Sequence, residues 1–518
     1  MTTIPSDPIL SCAEARELEQ KRFAGEEARE WEAMQRAGCA IGAAVLRDCE
    51  EIGGFPAEGR VLVLVGKGHN GGDALIAARY ILEKFPSATA EVVFAFGERV
   101  LRPLAKRAWR EVAQMAAERV AAGVAAGLRA ESAGRDACRY DVCLDGIFGF
   151  QFRPPADAKV AALIERVNAL AIRLRAAVDL TSAGLFRADF TYATGAVKSP
   201  ALEQEAAGRV RYLDLGFFGD DAPGDSRVLT PAVLAPLTGL RPARCDKRSF
   251  GHLFVVGGSR SYPGAVLMSA LAAVRSGAGL VTVFVPESLQ AAYAARLPEA
   301  IWVGWPETPD GGLALEGVHL LRERLERADA LALGPGIGRE KETLALVREI
   351  VATVEAPVVL DADALQPDVV RAARAPLVVT PHAGEFERIA GGVALEDFAA
   401  ETGATVVLKG PVTRIAGRAL RLPPVAVEHG GHKARPTTTP VYHSLFGGPV
   451  LARGGSGDLL AGMIGAQLAQ LPGEPVLAAV RGVVWHGLAA EALARARGQV
   501  AVQTTELVDY LPVVLRDL

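Results

Sequence analysis

The sequence predicts an α/β protein of two layered domains, and three observations carry that expectation. From about residue 60 one theme recurs: a short β-branched run, a Gly-rich or acidic turn, then an Ala- and Leu-rich stretch of helical length. The rhythm breaks across 216–251, where Gly-Asp-Asp-Ala-Pro-Gly-Asp at 219–225 precedes prolines at 231, 236 and 242. Two glycine-rich turns, 66–73 and 454–458, each lead directly into a candidate helix. The break places a boundary near residue 226 and gives domains 1–225 and 226–518.

In the first domain the strand candidates are 60–65, 91–96, 140–144, 174–178, 189–193 and 210–213, most of them separated by segments of helical length. Such connections suit a mostly parallel sheet covered by helices. The second domain restarts with a strand at 252–256, a Gly257-Gly258-Ser259 turn and a small-residue helix reaching Ser276. Further strands are expected at 280–285, 330–333, 357–360, 377–379 and 405–408, and a last helix at 459–470. No repeat of 20 to 50 residues runs through the chain, which argues against a solenoid.

A chain of 518 residues, half of them hydrophobic, suffices for two or three domains with cores of their own. The formal charge of −4 gives no electrostatic reason to expect nucleic acid or an anionic membrane as partner, which favours a small-molecule substrate. The first 20 residues lack the basic and apolar regions of a signal peptide. Apolar stretches such as 265–274 fall short of the roughly 20 residues of a membrane span. A cytoplasmic location is expected. Six cysteines are too sparse for a disulfide framework, and Cys138 and Cys143 lack CxxC spacing, so ordinary thiols are expected.

Gly454, Gly455 and Gly457 allow close backbone approach to a ligand, and free amides at the following helix start make an anion site suited to phosphate. Asp458 stands in the first turn. There it either caps the helix or takes a proton from a substrate hydroxyl that attacks a phosphoryl group. Four other turns follow strand candidates: 333–338, 361–364, 380–385 and 409–413. In an open parallel sheet these would meet beyond the carboxyl ends of the strands, where ligands bind.

With those segments in view, residues 250–518 resemble the ADP/ATP-dependent NAD(P)H-hydrate dehydratases of the ribokinase-like superfamily. The matching stretches are Gly264-Ala265, Arg275 to Val281, Gly334 to Gly338, Asp361 to Leu365, Thr380 to Glu385, Lys409 to Thr413 and Gly454 to Asp458. The resemblance implies that Ala265, Gly338, His382 and Asp458 face the hydrated nicotinamide nucleotide. It implies that Lys409, Gly410, Pro411, Val412, Thr413 and Gly457 hold the adenine nucleotide, ADP or ATP, with Mg2+ on its phosphates. Asp458 would activate the C6 hydroxyl for phosphorylation, after which phosphate leaves.

In the first domain, 66–71 satisfies GxGxxG between a strand and a helix, which alone suggests a dinucleotide site; no GK[ST] closes the loop as a Walker A motif requires. Residues 9–220 resemble the NAD(P)H-hydrate epimerases, a Rossmann-like three-layer domain. The resemblance rests on Met34 to Gly38, Gly66 to Asp73, Asp145 to Gly149, Val178 to Gly184 and Lys198. It implies a K+ ion held by Asn70, Asp145 and Ser182. It also implies contact of the hydrate with His69, Asn70, Gly71, Gly72, Asp73, with Gly149 to Pro155 and with Asp179. Asp145 would shuttle a proton or only hold the ion. This sequence departs from the family pattern with His69 for asparagine, Ala74 for glycine, and Thr181 for the proline before the serine.

Between Leu420 and Phe446 the chain exceeds the family pattern and carries His429, His432 and His443. Three histidines suggest a metal site; the surrounding Pro, Thr and Gly suggest a surface loop or a lid. The competing reading of the whole chain is a ribokinase-like small-molecule kinase with an inactive or scaffold N-terminal domain. A homo-oligomer is the default expectation for such an enzyme.

Overall fold

The computed structural model describes residues 4–115, 120–123, 140–219, 222–417 and 440–518. Cys138, His429 and His432 lie outside them. The chain forms two compact units. One comprises Asp7–Pro223 with Ala494–Gln499; the other comprises Gly224–Leu493 and Val500–Leu518, with the N-terminal residues through Ser6.

The first unit is built on seven parallel strands in the order Val120–Gly123, Thr89–Phe94, Arg60–Val65, Tyr140–Gly146, Ile172–Val178, Phe190–Thr194 and Arg209–Leu213. The third of these, Arg-Val-Leu-Val-Leu-Val, has only its first residue exposed. A parallel strand covered by helices on both faces has no polar side to show, which is why the run is continuous rather than alternating. One apolar cluster around Ile41, Val63, Ile76 and Val112 fills one face, and another around Leu62, Leu163 and Phe186 fills the other. Chain order runs outward from Arg60–Val65 to one edge, then returns to its other side at Tyr140–Gly146. The crevice of an open sheet forms at such a reversal, beyond the carboxyl ends of these two strands.

The second unit repeats the plan. Seven parallel strands run in the order Ile301–Trp305, Leu280–Pro286, His252–Val256, Ala330–Leu333, Val358–Leu360, Leu377–Val379 and Thr405–Leu408. The antiparallel strand Thr413–Ala416 follows and pairs with Val441–Ser444, which lies parallel to Ser226–Leu229. Here the order reverses between His252–Val256 and Ala330–Leu333. The helix Ser456–Gln470 lies on the middle of this sheet and packs tightly on Pro263–Arg275.

The expected strands are found to within three residues at each end. Unanticipated are Ser6–Leu10, Val120–Gly123, Val197–Lys198, Ser226–Leu229, Ile301–Trp305, Thr413–Ala416 and Val441–Ser444. These are short or carry Pro, Gly or polar residues, and each is a strand because a neighbour supplies its hydrogen bonds rather than through its own pattern. One helix, Pro475–Arg497, does reach the length and apolarity of a membrane span, contrary to the expectation from sequence. Its most apolar window is 94% buried inside the protein, and Arg481, His486 and Glu491 interrupt it, as befits a core helix. The described cysteines, Cys12, Cys39, Cys49, Cys143 and Cys245, are free thiols.

A Cβ at Gly462 would lie 2.1 Å from the carbonyl oxygen of Ser269, so the two helices touch there backbone to backbone. Gly462→Ala is expected to destabilise this unit by roughly 1–3 kcal/mol, read as a lowered denaturation midpoint.

Candidate functional site

In the second unit the loops at the carboxyl ends of the strands hold one another in sequence. The amide of Gly258 donates to the carbonyl of Pro335 at 2.7 Å, and the Ser259 hydroxyl donates to that of Gly336 at 2.8 Å. Arg339 reaches Asp363 at 2.8 Å. Thr380 donates its hydroxyl to Asp361 Oδ1 at 2.7 Å, and the same oxygen takes Lys409 Nζ at 3.1 Å. The amide of Lys409 is fixed by the carbonyl of Pro381 at 2.8 Å.

The helix Ser456–Gln470 opens over this ring. Its N-cap is Gly455, at φ 89°, and no side chain caps it; the Ser456 amide donates to the Arg453 carbonyl at 3.4 Å, which leaves the amides of Gly457 and Asp458 for a ligand. Asp458 is the third helical residue and does not serve as the cap. Its carbonyl accepts from Ser269 Oγ at 2.7 Å, which fixes the turn to the helix carrying Ala265. Burial, together with the Asp361 carboxylate and against Lys409, pushes the Asp458 carboxyl up to about 6. Burial works against the charge on Lys409, but Asp361 and Glu385 outweigh it and hold its ammonium above the ordinary range.

The expected residues gather here. A Cβ on Gly457 would lie 3.3 Å from Lys409 Nζ, and one on Gly336 would lie 3.0 Å from Ala265 Cβ. Gly338, at φ 73°, faces open space. Gly410 and Pro411 form the exposed turn that delivers Thr413 to its strand. His382 caps the helix Ala383–Ala390: its Nδ1 accepts from the amides of Gly384 and Glu385 at 3.1 and 3.2 Å. With both amides donating to Nδ1, any ring proton sits on Nε2, 3.5 Å from Glu385 Oε1. Sequence reasoning passed over His486, wholly buried beneath Ser456, whose Nε2 has no partner and whose pKa burial lowers to about 4. A lone histidine in an apolar helix was its only signal.

In the first unit a cavity of about 470 Å3 opens at the reversal of strand order, lined in part by His69, Asn70, Asp73, Gly149, Asp179 and Lys198. Asp145 is fully buried beneath it. Ser182 donates its hydroxyl to Asp145 Oδ1 at 2.6 Å and its amide to Oδ2 at 2.9 Å. The Asn70 amide donates to the carbonyls of Val178 and Phe148 at 2.8 and 3.2 Å, and a Cβ on Gly149 would fall 2.3 Å from Asn70 Oδ1. Burial pushes Asp145 up to about 6, opposed by the Ser182 hydrogen bonds. Ser182 Oγ also accepts from the Phe148 amide at 3.0 Å, so Asn70 and Ser182 share the backbone of Phe148, and the oxygen donors of Asn70, Asp145 and Ser182 are of the kind that suits a hard cation.

Gly71 and Gly72 lie off the cavity wall: Cβ atoms there would meet the Gly66 carbonyl at 2.5 Å and Met34 Sδ at 2.6 Å. They let the helix pack. The three departures are accommodated. His69 faces Glu30 at 3.7 Å, the Ala74 methyl sits buried against Gly146, and Thr181 donates to Gln204 at 2.8 Å. Asp179 and Ala183 hold positive φ (67° and 57°), as Ala362 does (54°) beside Asp361 in the other unit; strained backbone of this kind collects at functional sites. Glu19, Lys67, Phe96, Arg102 and Thr194 also line the cavity and gave no sequence signal. His443 lies on the strand Val441–Ser444, and no group of three or more His, Cys, Asp or Glu poised for a metal exists among the described residues.

The family model described as NAD(P)H-hydrate dehydratase matches residues 253–513, and that of the YjeF-related protein N-terminus matches 31–203. The bifunctional NAD(P)H-hydrate repair enzyme Nnr of Gloeobacter violaceus is 36% identical over 98% of this chain and 98% of its own. The chain belongs to this family. The Nnr enzyme of Moorella thermoacetica is 33% identical over 94% of this chain and 92% of its own. Among solved structures, the ADP/ATP-dependent NAD(P)H-hydrate dehydratase from Bacillus subtilis, co-crystallized with ATP/Mg2+, is 28% identical. It covers 54% of this chain and 93% of its own, with a TM-score of 0.43. As a bifunctional NAD(P)H-hydrate repair enzyme, the chain pairs an N-terminal epimerase domain with a C-terminal dehydratase domain.

Because Lys409 lowers the Asp458 pKa, Lys409→Met is expected to move the Asp458 titration above 6, seen by carboxyl carbon NMR of labelled aspartate.

Proposed function

We propose that Asp458 is the general base of the dehydratase reaction. The observation that carries this is its place in the first turn of a helix whose amides no side chain caps, beside Lys409 and Asp361. The amide of Gly457, with Lys409 to Thr413, takes the adenine nucleotide. Ala265, Gly338 and His382 place the hydrate with its hydroxyl toward Asp458. Asp458 removes the hydroxyl proton as the oxygen attacks the terminal phosphoryl group of ADP or ATP. The terminal phosphoryl bond breaks to release AMP or ADP; phosphate then departs as the ring carbon–oxygen bond breaks, and the adjacent ring carbon gives its proton to water, restoring the dihydropyridine. Phosphorylation replaces hydroxide, a poor leaving group, with phosphate, a good one. Mg2+ carried on the nucleotide would neutralise charge on its phosphates. The carboxyl near 6 leaves the base form dominant at neutral pH and lost below it.

In the epimerase half, Asn70, Asp145 and Ser182 would hold K+, whose charge offsets that of a buried Asp145. His69 to Asp73, Gly149 and Asp179 would contact the hydrate, whose R form is converted to the S form that the other half consumes. A cytoplasmic location and a homo-oligomer belong to the same reading.

The test supplies a mixture of R and S hydrates, Mg2+ and ADP or ATP, and follows the return of dihydronicotinamide absorbance. Recovery of both epimers is expected. A stable phosphorylated product instead would favour the small-molecule kinase. Asp458→Asn should lower turnover by at least about 10²-fold with an unchanged melting curve. The wild-type rate should fall as pH drops through about 6. Replacing K+ with a bulky organic cation should slow conversion of the R form while leaving use of the S form unchanged.

A further inference from the structure

The epimerase cavity contains a carboxyl that the reading above does not use. Glu19 belongs to the helix Cys12–Phe23, which starts from Ser11 with a capping box to Glu14 and buries only Ala15. So polar a helix has little apolar area to hold it. The side chain of Glu19 nevertheless lines both the 470 Å3 cavity and a smaller one of about 60 Å3 beside it, and His69, Asp73 and Thr194 are common to both. Glu19 thus stands at the junction.

Lys67, Arg102, Arg153 and Asp157 also line the larger cavity, whereas the smaller one carries Glu19, Glu30 and Asp73 with His69 and no lysine or arginine. Glu30 faces the junction from the helix Glu27–Cys49, His69 and Asp73 from the helix His69–Lys84, and Asp179 and Lys198 from the strand ends. Lys198, the cation that acts on Glu19, is committed elsewhere: its Nζ lies 2.5 Å from Asp179 Oδ1 and 3.1 Å from the Thr194 carbonyl. Asp73 is 8% exposed and its Oδ1 has no hydrogen-bond partner, which disfavours its ionised form. Burial, reinforced by Asp179 and Glu19, raises Asp73 well above the carboxylate range. Burial also pushes Glu19 up to about 7; Asp179 and Glu30 add to this and Lys198 opposes it. Carboxyls whose pKa burial raises, facing a cavity, are what general acid catalysis needs.

We propose that Glu19 is a further catalytic residue of the epimerase half, giving a proton to the hydroxyl that leaves the hydrate and, with Asp73, taking one back from the water that replaces it. This rests on the epimerase reading above. The carbon bearing the hydroxyl is also bonded to the ring nitrogen. When Glu19 protonates the hydroxyl, the carbon–oxygen bond breaks and water departs, while the nitrogen lone pair forms a C=N bond and flattens the carbon. Water then adds to the opposite face, the C=N electrons return to nitrogen, and the added water's proton passes to the Glu19–Asp73 pair. One water leaves and one enters; one proton is lent and one returned.

The full-length protein is given R hydrate with Mg2+, nucleotide and K+, and S hydrate in a parallel reaction. Glu19→Gln should lower conversion of the R form by about 10²-fold or more and leave dehydration of the S form at the wild-type rate. Glu19→Asp, which keeps a carboxyl on a shorter stem, should regain part of the rate. In the wild type the R-form rate should fall as pH rises through about 7, and that limb should vanish from the residual activity of Glu19→Gln. Undiminished R conversion by Glu19→Gln, or a pH limb that persists in it, would overturn the proposal. Wild-type protein that consumes the S form and leaves the R form untouched would instead overturn the epimerase reading, and the proposal with it.

Discussion

A parallel sheet has to bury both faces, and where its strand order reverses no crossover helix can fill the gap at the carboxyl ends. Both units depend on that constraint. In the first, Asn70 follows Arg60–Val65 and Gly149 follows Tyr140–Gly146, so the amide of one meets the backbone of the other across the crevice. In the second, the turns after the strands meet in order, from Ser259 on Gly336 to Thr380 and Lys409 on Asp361. Sheet topology comes first and the sites follow from it.

What each unit does with its crevice differs in electrostatics. The dehydratase side presents an uncapped helix start and an ammonium, Lys409, whose carboxylate partners hold it charged, an arrangement suited to phosphates. The epimerase side sequesters carboxyls. Asp145 is satisfied by Ser182 and Ile147, whereas Asp73 and Glu19 lack such donors, and burial raises the carboxyl pKa in each. One half therefore manages negative charge on a ligand, and the other manages protons on its own side chains.

The site residues named from sequence separate by what the backbone does. Gly338 and Lys409 follow strand ends and Gly457 and Asp458 open a helix, positions that turn chemistry in the sequence marks locally. Gly71 and Gly72 share a motif with Asn70 and Asp73, yet they face the helix packing against Met34 rather than the cavity. Motif spacing does not say which side of a helix a residue turns to.

The sequence by itself determined the α/β class, the restart near residue 226, the central strands of both sheets and the glycine loop with Asp458, because these follow from hydrophobic runs and turn chemistry within a few residues. Tertiary structure alone decided the edge strands, whose hydrogen bonds come from neighbours, and the pairing of Asp361 with Lys409 across 48 residues. It also decided the place of Glu19 over a cavity whose other carboxyls, Asp73, Asp157 and Asp179, lie far along the chain. Burial and the count of nearby charges set the protonation of such groups, and both are properties of the folded assembly that no local run of residues contains.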